Sequence, residues 1–160
     1  MFENLLEKIP VILVVESRDD VYARLQEMLA EEGVAVERAR CAASVPSRIN
    51  RLQPDLILIH AELPYESGWL IACKLTFSHP GQNVWLYGAQ DTERIGLRQH
   101  VCGVGAYVAY GGVLPRLIEQ VQQSVRRWWR ADTLRSASPV RSAQRLRRQA
   151  AAFDRMSCGS

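Results

Sequence analysis

The chain has 160 residues, 48% of them apolar, with a formal charge of +3. That is enough for one domain with a full core and a short extension. No apolar run approaches the ~20 residues a membrane helix needs, and the opening MFENLLEKIP lacks the basic stretch and apolar core of a secretory leader, so a cytoplasmic protein without membrane contact is expected.

After Pro10 the run VILVV, residues 11–15, is continuously apolar, which suits a strand buried on both faces. Asp19 and Asp20 are good N-cap residues, and the spacing of Val21, Leu25, Met28 and Leu29 predicts a helix closed by Gly33. Val34 and Val36 predict a short strand. Ser44 is placed to cap a second helix through Ile49 and Leu52, with Pro46 tolerated in its first turn. Asp55 to Ile59 reads as a third strand that stops at His60, and Glu66 to Phe77 as a helix broken by His79, Pro80 and Gly81. Val84 to Tyr87 gives a fourth strand. Asp91 and Thr92 cap a short helix through Ile95 and Leu97, and Gly103 to Ala109 gives a fifth strand. From Val113 a long helix carries Leu114, Leu117, Ile118, Val121, Val125 and Trp128 on one stripe.

Five successive β-α units predict a doubly wound parallel sheet with helices on both faces. Such folds place their chemistry at the carboxyl ends of the strands. The candidate site residues are therefore Glu16, Ser17, His60, Gly88 and Tyr110.

The four cysteines, Cys41, Cys73, Cys102 and Cys158, lack the close pairing of zinc ligands. They read as structural or incidental thiols, three of them within apolar segments. The tail has the opposite charge to the body. From Arg126 onward there are nine arginines and two acids, a balance of +7, leaving eleven bases and fifteen acids, a balance of −4, on the first 125 residues. A folded body over 1–130 and a basic extension over 131–160, helical or disordered, are expected.

Three stretches carry a resemblance: VILVVESRDD, DLILIHAELPYESGW and GVGAYVAYGG. With the order of the five units, they make residues 10–126 resemble the receiver domain of two-component response regulators. The resemblance implies a flavodoxin-like sheet of strand order 2-1-3-4-5. Such receivers accept a phosphoryl group on an aspartate at the end of the third strand. An acidic pair after the first strand holds magnesium, and a hydroxyl and a lysine follow the fourth and fifth strands. Carried over by position, the acidic pair falls on Glu16 and Ser17, the phosphoacceptor on His60, the hydroxyl on Gly88 and the lysine on Tyr110; only Glu16 keeps the chemistry. Tyr87 is the nearest hydroxyl to the fourth-strand position, and no lysine occurs after Lys74. Magnesium wants several hard oxygen ligands, and an aspartyl phosphate needs a carboxylate nucleophile. The resemblance is thus to a pseudo-receiver, with no metal, cofactor or enzyme activity expected.

For His60 the readings are a neutral imidazole filling the vacated pocket and bonded to Ser17 or Glu16, a transition-metal ligand with Glu16 and Glu62, or a phosphohistidine. Asp19 and Asp20 read as caps more readily than as replacement metal ligands. Trp85, Tyr107 and Tyr110 read either as core or as part of the face formed by the fourth helix, fifth strand and fifth helix. The resemblance places dimer and effector contacts on that face. In the tail, Arg126, Arg127, Trp128 and Trp129, then Arg145 and Arg148 with Arg141, offer docking to an acidic protein surface or to nucleic-acid phosphates; the alternative is a solvated tail.

The expected function is a non-enzymatic interaction module in bacterial signal transduction or transcriptional regulation, with another signalling or regulatory protein as partner and a homodimer as one form. The alternative is a nucleic-acid-associated regulator using the tail. A flavin-type cofactor protein ranks last, because ESRDD stands where a glycine-rich phosphate loop would follow the first strand.

Overall fold

The run VILVV forms β1 (Val11–Val15) and pairs along both edges, as an apolar run without polar alternation should. A computed structural model describes residues 9–90 and 93–136; for Trp128, Trp129 and residues 131–136 it describes the backbone alone. β1 lies between β2 (Ala35–Ala39) and β3 (Leu56–His60), and β4 (Val84–Gly88) and β5 (Ala106–Ala109) complete a parallel sheet of order 2-1-3-4-5. The helices are α1 (Asp19–Glu31), α2 (Val45–Leu52), α3 (Gly68–Ser78), α4 (Arg94–Cys102) and α5 (Leu114–Ser136). The doubly wound fold expected from the sequence is the fold observed. The described residues through Gln122 form one compact unit, and those from Gln123 belong to a second.

On one face of the sheet, Leu13, Val15, Ile57, Ile59, Val84 and Leu86 pack with Val45 and Ile49 of α2, Ile71, Ala72 and Leu75 of α3, and Cys102. Alternation along the strands turns Ile12, Val14, Leu56, Leu58, Trp85 and Tyr87 to the other face, where all are buried. α1 brings Val21, Leu25 and Leu29 to the core, and the first turns of α5 bring Leu117, Ile118 and Val121. Each buried aliphatic side chain contributes about 1.5–3 kcal/mol of apolar transfer, so the sheet is held by its core rather than by the polar groups at its edge.

Local chemistry sets the ends of the elements. Gly33, at φ +75°, closes α1, where its N–H and that of Val34 bond to the carbonyls of Ala30 and Leu29. Asp19 and Asp20 are not caps: Arg18 holds the N-cap position without a side-chain bond, and both acids lie in the first turn. There they favour the helix dipole. α4 runs to Cys102, and Gly103, left-handed at φ +66°, ends it, so β5 starts at Ala106 rather than at residue 103. Leu97 is 67% exposed, not core.

The cysteine reading needs correction. Cys73 of α3 and Cys102 of α4 are paired as a disulfide with Cα atoms 4.6 Å apart, and Cys41 is free and exposed. Their separation of 29 residues hides a contact that only the packing of α3 beside α4 creates. Trp85, a candidate interaction residue, is 7% exposed and sits in the sheet. The side chains of Trp128 and Trp129, and Asp91, Thr92, Arg141, Arg145, Arg148 and Cys158, lie outside the described residues. Among the described residues no helix is long and apolar enough to cross a membrane.

Gly68 opens α3 directly against the end of β3. A Cβ there would collide with the His60 carbonyl oxygen and sit 2.8 Å from the Ala61 Cα. Because both obstacles are backbone, Gly68→Ala is expected to destabilise the fold by about 2–3 kcal/mol, measured by urea denaturation; an unchanged midpoint would show that the α3 start can shift freely.

Candidate functional site

Strand register brings the site together. His60, the last residue of β3, aligns with Tyr87 of β4, and Gly88 aligns with Ala109 of β5. Between β1 and α1, Arg38 reaches across from β2 and fixes the loop. Its Nε donates to the Glu16 carbonyl at 3.0 Å, its Nη2 to the Ser17 carbonyl at 3.0 Å and its Nη1 to Asp19 at 2.6 Å. Its guanidinium also lies over the Tyr22 ring, 4.8 Å from the centroid.

That loop turns Glu16 inward until its side chain is fully buried. A buried carboxylate is costly unless paired and hydrogen-bonded, and here it is both. Arg18 grips it from two sides, Nε to Oε1 at 3.1 Å and Nη2 to Oε2 at 3.1 Å, while the Arg18 backbone N–H donates to Oε1 at 2.9 Å. The Tyr87 hydroxyl donates to Oε2 at 2.5 Å. The same guanidinium reaches the Tyr110 hydroxyl at 3.4 Å and lies 3.3 Å from His60 Nε2.

A guanidinium only donates, so His60 Nε2 accepts and the ring proton is assigned to Nδ1. Nδ1 is buried without a hydrogen-bond partner among the described residues and lies 4.0 Å from Glu16 Oε1. The expected hydrogen bond from His60 to Ser17 or Glu16 is not formed; the ring faces Arg18 instead. Its ring packs on Tyr87 at 5.2 Å between centroids, and Tyr87 in turn lies 6.5 Å from Tyr110.

Electrostatics follow the geometry. Burial pushes the Glu16 carboxyl up, but the hydrogen bonds from Arg18 and Tyr87 outweigh it and hold its pKa below the ordinary value. The bond to Glu16 holds the Arg18 guanidinium charged even more firmly than usual. Burial, then the charge of Glu16, drives the Tyr87 hydroxyl far up. Burial pushes His60 below its ordinary value; the Arg18 charge adds to this while Glu16 opposes it. The cluster is an ionised carboxylate, one guanidinium and neutral rings.

The five positions carried over from the resemblance lie around this cluster but differ in what they do. Ser17 contributes its carbonyl to Arg38. Tyr110 is buried and accepts from Arg18. At Gly88 a Cβ would collide with the Tyr107 hydroxyl. That hydroxyl donates to the Gln90 carbonyl at 2.8 Å, and its ring stacks on Trp69 at 5.5 Å and 11°. The hydroxyl nearest the Gly88 position thus belongs to Tyr107, not to Tyr87, which is engaged by Glu16. The metal reading of Glu16, His60 and Glu62 finds no support: among the described residues no three His, Cys, Asp or Glu side chains form a metal-holding group. Sequence reasoning missed Arg18 and Arg38. The available signal was a basic residue inside ESRDD, directly after the inward glutamate.

No protein-family model and no curated protein matches this sequence. Solved structures do resemble it. A CheY-like response regulator receiver domain protein from Methanospirillum hungatei JF-1 is 19% identical with a TM-score of 0.64, over 78% of this chain and 99% of that one. The response regulator TrrA from Thermotoga maritima, solved in complex with Mg(2+)-BeF, is 23% identical with a TM-score of 0.60, over 72% and 98%. The chemotaxis protein CheY4 of Vibrio cholerae is 12% identical with a TM-score of 0.63, over 72% and 98%. The chain has the receiver-domain fold.

Two outcomes test the site. His60 and Glu16 both have depressed pKa values in the fold, so below the ordinary histidine value of about 6.5 the unfolded chain binds more protons than the folded one. Stability therefore falls as pH falls, His60 acting first and Glu16 at lower pH. Thermal melts are expected to drop from about pH 7 to about pH 5, and His60→Gln to flatten the first part of that drop; an identical pH slope in the variant would refute the assignment. In a double-mutant cycle, Arg18→Ala and Glu16→Gln are expected to couple by about 1–2 kcal/mol, a value tempered by the 41% exposure of the Arg18 side chain. Additive effects in urea unfolding would show that the fork carries no stability.

Proposed function

We propose that this chain is a phosphorylation-independent receiver-like module that acts in signal transduction or transcriptional regulation through contact with another protein. The observation that carries the reading is the Arg18 guanidinium, held within hydrogen-bond distance of Glu16, His60 and Tyr110. A receiver that takes up phosphate needs a carboxylate nucleophile and a hard divalent cation. Here an imidazole stands at the end of β3, and the remaining carboxylate is already neutralised by a covalently tethered cation. Magnesium would have to displace an arginine that offers Glu16 three hydrogen bonds, two from its guanidinium and one from its backbone N–H, and it would gain no second carboxylate in return.

The output side of such a module would be fixed rather than switched. Tyr107 fills the space beside Gly88 and is tied to Gln90 and Trp69. α4 leaves Leu97 and Val101, four residues apart, 67% and 72% exposed. An apolar pair at that spacing supports protein contact through α4 and β5, with self-association as one form of it.

The test is mass spectrometry after incubation with acetyl phosphate and magnesium. No phosphoryl adduct is expected on the wild type, and none on His60→Asp, because that change restores the nucleophile but leaves Arg18 on Glu16. A stable adduct on residue 60 of the wild type would overturn the reading; an adduct on His60→Asp would show that Arg18 yields to magnesium.

A further inference from the structure

A second polar feature lies apart from the Glu16 cluster. A cavity of about 460 Å³ is lined by Trp69 of α3, Gln90 and Glu93 before α4, and Arg94, Ile95 and Arg98 of α4. It is an open groove on the surface rather than an enclosed cavity. Trp69 is half-buried, and one indole face is covered by Tyr107, whose own hydroxyl is tied to the Gln90 carbonyl. The indole is thereby a fixed platform. Arg94 and Arg98, one turn apart, place two guanidiniums on the same side of α4, and both side chains are exposed. Neither forms an ion pair among the described residues, while Arg18, Arg24, Arg38, Arg40, Arg48 and Arg51 all do. Among the described lining residues two arginines stand against the one carboxylate of Glu93.

The walls are held in place before any ligand arrives. Cys73 and Cys102 join α3 to α4, and the Thr76 hydroxyl donates to the Cys102 carbonyl at 2.7 Å. Pre-organised walls lower the ordering cost of binding. A partly exposed indole beside two arginines that form no ion pair among the described residues matches a ligand with a planar ring at one end and an anion at the other. Indole stacking accepts any base-like ring, and paired guanidiniums grip phosphate oxygens in parallel N–H bonds.

We propose that this cavity binds a nucleotide-class ligand: a heteroaromatic ring stacked on Trp69, with its phosphate held by Arg94 and Arg98. The site is separate from the Glu16 cluster and touches the Tyr107 contacts only through Trp69 and Gln90.

The experiment is isothermal titration of the full chain, basic tail included, with AMP, GMP, adenosine, ribose 5-phosphate and inorganic phosphate. AMP or GMP is expected to bind saturably, and adenosine, ribose 5-phosphate and phosphate each about tenfold or more weakly, since each lacks one half of the contact. The double variant Arg94→Ala, Arg98→Ala changes only exposed side chains; it is expected to keep the wild-type melting temperature and lose nucleotide affinity about tenfold or more. Trp69→Leu should weaken the nucleotides while leaving ribose 5-phosphate unchanged. No saturable binding of either nucleotide at millimolar concentration, or binding that survives the double arginine variant, would overturn the proposal. Phosphate binding as tightly as AMP would overturn the ring contact.

Discussion

A carboxylate with no exposure to water has to be answered by charge and hydrogen bonds, and the upper edge of this sheet is arranged around that requirement. Glu16 is placed inside by the end of β1 and by Arg38, which holds the loop carbonyls on either side of the turn. Once it is inside, the electrostatic cost of leaving it bare would be several kcal/mol. Arg18, two residues on, supplies the positive charge, and Tyr87 supplies the further hydroxyl. The other contacts are secondary to this pair. Tyr110 accepts from the spare guanidinium donors, and His60 offers its lone pair to the same group. An exchangeable ion would let such a site exist in two states. Here the cation is a guanidinium on the same chain, two residues from its partner.

The small residues of the site are explained by the large ones. Gly88 is a glycine because the Tyr107 hydroxyl occupies the place of a side chain, and Gly68 is one because the backbone of His60 and Ala61 does. Tyr107 can take that position only while its ring has support, which Trp69 provides from α3. The aromatic contacts therefore form two linked series, Tyr110–Tyr87–His60 over the buried carboxylate and Tyr107–Trp69 toward α4. Both are packed at the carboxyl ends of the strands, where the fold otherwise leaves a crevice open.

The fold was legible because its strands are short apolar runs bounded by Pro, Gly and acidic residues. The doubly wound sheet with its two-faced core follows from five β-α repeats, while the strand order 2-1-3-4-5 was implied by the resemblance. Element ends were less legible. The start of β5 depended on a left-handed Gly103, and the start of α1 on Arg18 rather than an aspartate holding the cap position. The site was legible as a set of positions and not as a set of contacts. His60, Gly88 and Tyr110 could be placed by their distance from each strand, but which hydroxyl fills which space depends on packing between strands. The pairing of Cys73 with Cys102, 29 residues apart, likewise comes from two helices lying side by side, which no local pattern encodes.

Charge separates the two polar features of the molecule. In the Glu16 cluster one carboxylate meets one guanidinium, and the rings are neutral, with the His60 pKa lowered by burial and by Arg18. An incoming phosphate dianion would find no uncommitted cation there, and the Arg18 donors it would need are already turned toward Glu16, Tyr110 and His60. Beside α4 the described lining residues carry two arginines and one glutamate. Pair interactions at this range decay within a Debye length of about 8 Å at physiological salt, so an anion near the surface responds to whichever cations are near and unpaired. On that criterion the proposed phosphate contact lies on α4 rather than at the end of β3.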